Sequence, residues 1–293
     1  MDNVEKIALP ESDVEEKTQW HNAFFVAIQA QLIEYKDDLT YESEHPLTTE
    51  PLRIDVLVIK KRPETVVKKQ IAEIFRHDNV MEYKSPADNL SINEFYKSFA
   101  RAFLYKALDD IDIADLTLNF VVTSQPRELL GHLHEQFGYE VNERYPGVFV
   151  VTGAMIPIQI INSTKLSEDE NLWLRNLNKN LTRESIRWIH DKKQEYGERI
   201  DLGAYLYAVL NANHQAIKEF FSKEGKMLTA ELSKTLEEIG LGAQWEMKGR
   251  QERNIEIAQN LLRRNRPIDE IVEDTGLTRE EVESERCRMT IVQ

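Results

Sequence analysis

The chain has 293 residues, 41% hydrophobic and 30% charged, enough for one sizeable domain with an appendage or for two modest ones. Its single cysteine, Cys287, excludes an internal disulfide framework and a thiolate zinc cluster, and fits a reducing cytoplasm. The net charge of −14 speaks against nucleic acid, but Arg53 to Lys106 holds eleven basic against seven acidic residues, a local balance of +4.

Residues 1–16 are polar and aperiodic and read as an arm; the opening Met-Asp-Asn-Val-Glu has neither basic n-region nor apolar h-region, so no signal peptide is expected. No run reaches the roughly 18 to 20 apolar residues that span a bilayer, so no membrane partner is expected. Trp20 to Tyr35 carries apolar residues at helical spacing. Leu52 to Ile59 is rich in β-branched residues between Pro51 and Lys60-Lys61-Arg62-Pro63, and predicts a buried strand. A short helix over Val66 to Phe75 and a second strand over Asn79 to Ser85 follow.

Ser91 with Glu94 three residues on has capping-box spacing and opens a helix to about Leu108. Leu116 to Ser124 predicts a third strand and Pro126 to Phe137 a helix. Tyr139 to Asn142, Val148 to Thr152 and Ile156 to Ile161 predict short strands, with Pro146-Gly147 as a hairpin turn. Alternating strands and helices make residues 17–163 an α/β domain. Residues 164–293 read as helices only, at about 167–195, 202–222, 226–239, 244–265, 267–275 and 278–286. The last two have a helix-turn-helix outline, but the acidic second helix, Thr278 to Glu283, suits a small packing element or a homo-oligomer contact through the C-terminal helices better than a DNA groove.

Chemistry concentrates on the first two strands. Side chains alternate along a strand, so Glu82 and Lys84 project to one side while Met81 and Tyr83 face the other. Asp55 interrupts an otherwise apolar strand, where a carboxylate is costly unless it is paired or ligates a metal. If the strands are neighbours, Asp55, Glu82 and Lys84 converge. Two carboxylates can hold a divalent ion that polarises a phosphodiester and lowers the pKa of its water. A lysine beside them can orient or deprotonate that water, or stabilise the transition state. An isolated Asp and a surface Glu–Lys pair give the same pattern, and the spacing leaves both readings open.

The runs Leu-Arg-Ile-Asp-Val-Leu-Val-Ile and Glu-Tyr-Lys-Ser-Pro, followed by the helix from Ser91, resemble the PD-(D/E)XK nuclease-like proteins of the transposase and recombination-promoting nuclease group. The likeness covers about residues 18–125, with a further stretch at 250–285. It implies a PD-(D/E)XK restriction-endonuclease-like core with a mixed central sheet, built from a helix, mixed strands, a second helix and a further strand, ahead of an all-helical C-terminal region. It also implies a bacterial, cytoplasmic, Mg²⁺-dependent endodeoxyribonuclease of mobile-element or defence type, with Mn²⁺ as a substitute ion. Asp55 and Glu82 would then be catalytic metal ligands, the Tyr83 carbonyl a further ligand and Lys84 the catalytic lysine. The first helix offers Glu34 or Gln31 as one more metal-site residue, Glu34 being the better ligand chemically. The expected inserted helix between the two catalytic strands departs from the family pattern.

On the helix after Ser91, Tyr96, Lys97 and Arg101 are placed to meet a DNA backbone, with Tyr96 and Lys97 expected nearest the site. The acidic charge supports a different class of function, a catalytically inactive nuclease-fold binding or assembly protein. His132 and His134, two apart on a helix, point to different faces and make a poor zinc pair.

Overall fold

The computed structural model describes residues 11–43, 56–168, 170–197, 199–223 and 226–291. Helix α1 (Glu11–Gln31) and a 3₁₀ turn (Ile33–Tyr35) lead into β1 (Leu39–Ser43), β2 (Val56–Lys61) and β3 (Asp78–Tyr83). After these come α2 (Ile92–Leu108), β4 (Leu116–Val122), α3 (Arg127–Phe137), β5 (Glu140–Tyr145), β6 (Val148–Thr152) and β7 (Ile158–Asn162). Helices α4 (Leu172–Arg175), α5 (Arg183–Tyr196), α6 (Gly203–Ala212) and α7 (His214–Lys223) complete the first of two compact units, residues 1–223. The second, residues 224–293, contains α8 (Lys226–Glu238), α9 (Leu241–Arg263), α10 (Ile268–Thr275) and α11 (Arg279–Ile291).

The seven strands form one mixed sheet in the order β1-β2-β3-β4-β7-β6-β5, so the chain is an α/β protein. Strands β3, β4 and β7 run parallel, while β1–β2, β2–β3, β7–β6 and β6–β5 are antiparallel. The carboxyl ends of β3, β4 and β7 therefore lie together, beside the amino end of β2, where Val56 is the Cα partner of Glu82. One face buries Val58, Val80, Leu118, Phe120, Ile158 and Ile160 against Phe95 and Ala102 of α2 and Leu129 and Leu133 of α3. Each of the Val, Leu, Ile and Phe side chains among them contributes about 1.5 to 3 kcal/mol on leaving water.

Side-chain alternation sends Tyr83 to the opposite face, where its ring stacks on Phe24 of α1 at 4.6 Å. That face also carries a buried polar row. Thr117 Oγ1 donates to Asn79 Oδ1 at 2.8 Å, Asn79 Nδ2 donates to the Ile59 carbonyl at 3.0 Å, and Gln159 Nε2 donates to the Ile71 carbonyl at 2.7 Å. These bonds offset the cost of burying amides under a helix. Asp78, which opens β3, is buried on the other face and accepts from Tyr105 Oη at 2.8 Å.

Several expectations change. The stretch from 66 to 75 is not a helix: it has no regular structure up to Lys69, which is extended, and then makes a 3₁₀ turn at Gln70–Ala72. The β-branched Thr65-Val66-Val67 after Pro63 favours extended backbone, and Lys61 Nζ ties the turn by donating to the carbonyls of Arg62 and Thr65. Val66 is 72% exposed, and Ile71 is buried from within the 3₁₀ turn. Strand β1 was not foreseen. The change to helical texture near residue 163 does not end the first unit, because α1 packs against α4 and α6, which lie beyond it.

In the second unit, α10 and α11 close over Ala258 of α9 with Ile271, Leu277 and Val282. Thr278 and Glu281 form a reciprocal capping box: Thr278 Oγ1 accepts from the Glu281 amide at 3.3 Å, and the Glu281 carboxylate accepts from the Thr278 amide at 2.8 Å. Among the described residues no helix is long and apolar enough to cross a membrane.

Candidate active site

The carboxyl end of β3 carries Met81-Glu82-Tyr83-Lys84. Glu82 and Lys84 lie on the α2 side of the sheet, 3% and 7% exposed. Two charges survive that burial because they neutralise one another: Lys84 Nζ donates to Glu82 Oε1 at 2.7 Å. Helix α2 lies over them. Its residues Glu94, Lys97 and Arg101, at intervals of three and four, share one face of the helix. Lys84 Nζ also donates to Glu94 Oε2 at 2.8 Å, Lys97 Nζ to Glu94 Oε1 at 2.7 Å, and Arg101 Nη1 to Glu82 Oε2 at 3.4 Å. The result is an alternating chain of charge, Lys97–Glu94–Lys84–Glu82–Arg101. Three cations against two anions make it a positive island in an acidic protein.

Burial is the largest single influence on Lys84 and lowers its pKa, but the charges and hydrogen bonds of Glu82 and Glu94 together outweigh it and leave it above its ordinary value. In this arrangement Lys84 is an ammonium ion, suited to stabilising negative charge. Glu94 is raised by its partial burial, but the hydrogen bonds from Lys84 and Lys97 pull it down to about 2.

The way Glu94 becomes available is local. Ser91 caps α2, its Oγ accepting from the Glu94 amide at 3.2 Å. The other half of the expected box is not made, since the Ser91 amide donates to the Asn89 carbonyl at 3.0 Å. The Glu94 carboxylate is thereby left for Lys84 and Lys97.

Of the residues expected at the site, Glu82, Lys84, Lys97 and Arg101 are brought together. Asp55 lies outside the described residues; its chain neighbour Val56 opens β2 opposite Glu82. The Tyr83 carbonyl is the last of β3, with the ring turned away. Glu34 is not on the first helix but on the 3₁₀ turn after it, its side chain 64% exposed and paired with Lys69 at 3.4 Å. Gln31 is buried and donates to the Glu170 carbonyl. Tyr96, expected nearest the site, is rotated from the charged stripe toward α3, where its hydroxyl meets His132 Nε2 at 2.7 Å. Arg101, a turn further along, reaches Glu82 instead. The capping-box spacing accounts for Glu94 as a cap alone; its spacing with Lys97 and Arg101 is the signal of its second role.

The oxygen donors offered here, the Glu82 carboxylate and the Tyr83 carbonyl, are of the type that hard divalent cations prefer. Among the described residues no group of three or more His, Cys, Asp or Glu side chains converges as a metal site, so such an ion would need Asp55 as well. A scan against family models found no match, nor did comparisons with curated proteins and with solved structures.

Proposed function

We propose that the chain is a metal-dependent endonuclease that hydrolyses DNA phosphodiester bonds in the cytoplasm, on a PD-(D/E)XK-type core. The observation that carries this reading is the buried Glu82–Lys84 pair at the carboxyl end of β3, next to the strand that follows Asp55 and beneath the basic stripe of α2. The order α1-β1-β2-β3-α2-β4, with β3 antiparallel to β2 and parallel to β4, supports it as the arrangement that the resemblance implies. The link between the catalytic strands, from Lys61 to Asp78, is a loop with one 3₁₀ turn in place of the expected helix, longer than the short turn of the family pattern.

Asp55, Glu82 and the Tyr83 carbonyl would hold Mg²⁺ or Mn²⁺, which supplies an electrophile for the phosphate and a water of lowered pKa. Lys84, as an ammonium, neutralises charge that grows on the phosphate in the transition state. Glu94 orients Lys84. Lys97 and Arg101 meet the flanking phosphates, and Arg101, on the longer of the two bonds to Glu82, would be the partner to give way to a cation there.

A second reading draws on the same cluster. Both Glu82 oxygens are already paired with protein cations, as suits a nuclease fold retained for binding or assembly. Supercoiled plasmid incubated with Mg²⁺ or Mn²⁺ separates the two. Wild type is expected to nick it, and Asp55→Ala and Lys84→Ala to lose that activity. Equal nicking by all three, or none with either metal, would overturn the catalytic reading.

A further inference from the structure

At the carboxyl end of β7 a cavity of about 460 Å³ lies between the chain around α4 and the start of α5. Thr164 lines it, two residues past β7, and donates through its hydroxyl to the Thr123 carbonyl just past β4. Because β3, β4 and β7 run parallel, this is the end of the sheet that carries Glu82 and Lys84. Strand β7 lies two strand spacings from β3, about 10 Å.

The charged groups of the cavity are spoken for. Arg175 donates from Nη1 to the Thr164 carbonyl at 3.2 Å and to the Leu166 carbonyl, and from Nη2 to Glu168 at 2.9 Å. Glu184 is held below the ordinary carboxylate range by its own backbone amide and by Thr182, so the positive end of α5 already has its anion. One committed cation and two carboxylates repel a phosphate.

What remains is neutral and fit for recognition. Asn176 lines the cavity at 3% exposure, and its buried Nδ2 has no hydrogen-bond partner among the described residues. Asn180 is exposed at the cavity with no side-chain hydrogen bond among the described residues. Trp188 forms a half-buried wall, held edge-on to Trp173 at 4.8 Å. An aromatic wall with carboxamides, and without a free cation, suits a flat neutral ring that carries hydrogen-bond donors and acceptors.

We propose that this cavity is a base subsite, which seats one unpaired base of a DNA strand whose scissile phosphate lies at Glu82 and Lys84. The identity of the ligand as part of a strand rests on the nuclease reading; the preference for a base over a phosphate rests on the cavity alone. The substrate class is accordingly single-stranded or branched DNA with an unpaired base near the cut.

The test measures binding of the full chain, in EDTA, to a short fluorescein-labelled single strand, its abasic counterpart and its duplex. Trp188→Ala is expected to weaken single-strand binding by about tenfold or more, the scale of one lost base–aromatic stack, with part of the loss returned by Trp188→Phe. Asn180→Ala, an exposed change that keeps the test decisive should Trp188→Ala misfold, is expected to weaken it severalfold. Binding of the abasic strand and the duplex is expected to stay at the wild-type level. Unchanged single-strand binding in Asn180→Ala and in the folded Trp188 variants, or an equal loss with the abasic strand, overturns the subsite. Plasmid nicking measured in parallel keeps the two readings apart. Nicking with base-independent binding removes the subsite alone, whereas base-dependent binding without nicking removes the nuclease and leaves the subsite.

Discussion

Replacing Lys84 by Met probes how the site is held. The change keeps the length of the side chain and removes the ammonium that Glu82 accepts from at 2.7 Å. Glu82, with a side chain 4% exposed, then keeps Arg101 at 3.4 Å as its one cation among the described residues. Breaking a buried pair from one side costs about 3 to 5 kcal/mol, and the surviving Arg101 contact places this case near the lower figure. For a unit of this size 1 kcal/mol moves the midpoint by about 2 to 4 °C, so Lys84→Met is expected to melt about 6 to 12 °C below wild type in EDTA. The double variant Glu82→Gln/Lys84→Met leaves no buried charge unpaired and is expected to recover most of that loss. Mn²⁺ is expected to raise the midpoint of Lys84→Met more than that of wild type, because a cation at Glu82 takes over the role of the missing ammonium. Calorimetry of the full chain reads all of these. A shift under about 2 °C for Lys84→Met, or a double variant no more stable than the single one, would refute the pairing argument.

Further outcomes follow from the same geometry. The Glu94 pKa is lowered from 4.5 to about 2, so its stabilising contribution is complete above 4.5 and lost as pH falls toward 2; urea midpoints of wild type and Glu94→Gln are expected to converge over that window. Ser91→Ala removes the side-chain cap of α2 and is expected to cost about 1 kcal/mol in thermal melts. Gly147→Ala forces a side chain onto a backbone with φ of +77° and sets its Cβ 2.6 Å from the Asn162 carbonyl oxygen, so a loss of at least about 2 kcal/mol is expected by the same measurement. Arg101→Ala is expected to reduce DNA cleavage and Tyr96→Ala to leave it nearly unchanged, since Arg101 touches Glu82 and Tyr96 is turned to His132.

The parts of this structure visible in the sequence are those governed by local periodicity. Alternation along residues 79–85 puts Glu82 and Lys84 on one side, and the helix after Ser91 gives Lys97 and Arg101 as candidate contacts, although Tyr96, expected beside them, is turned to His132. Hidden were features decided by competition between partners. Glu94 has capping-box spacing, but the Asn89 carbonyl takes the Ser91 amide, so the carboxylate becomes part of the site. Residues 66–75 hold enough apolar side chains for a helical pattern, yet only Ile71 and Ala72 are buried, and they sit in a single 3₁₀ turn.

The single helix expected over 167–195 is broken between α4 and α5. There Asn178 donates to the Arg175 carbonyl, accepts from the Asn180 amide, and builds a turn that periodicity does not register. Asn213 ends α6 in the same way, with its Oδ1 accepting from the Leu181 amide at 2.9 Å and its Nδ2 donating to the Asn178 carbonyl at 2.8 Å. Strand β1 was missed because its five residues, Leu-Thr-Tyr-Glu-Ser, follow an acidic pair and are stabilised by pairing with β2, including Lys60 on Glu42 at 2.6 Å.

The most direct test of the central claim is the single-turnover rate of plasmid nicking at saturating Mn²⁺, for wild type beside folded Lys84→Ala and Glu82→Gln. The expected result is a loss of about 10² to 10³ in rate for Lys84→Ala, the scale of one removed electrostatic stabiliser, and no metal-dependent cutting by Glu82→Gln. A Lys84→Ala rate equal to wild type, or cutting by Glu82→Gln with an unchanged metal requirement, would contradict a site built on Glu82 and Lys84.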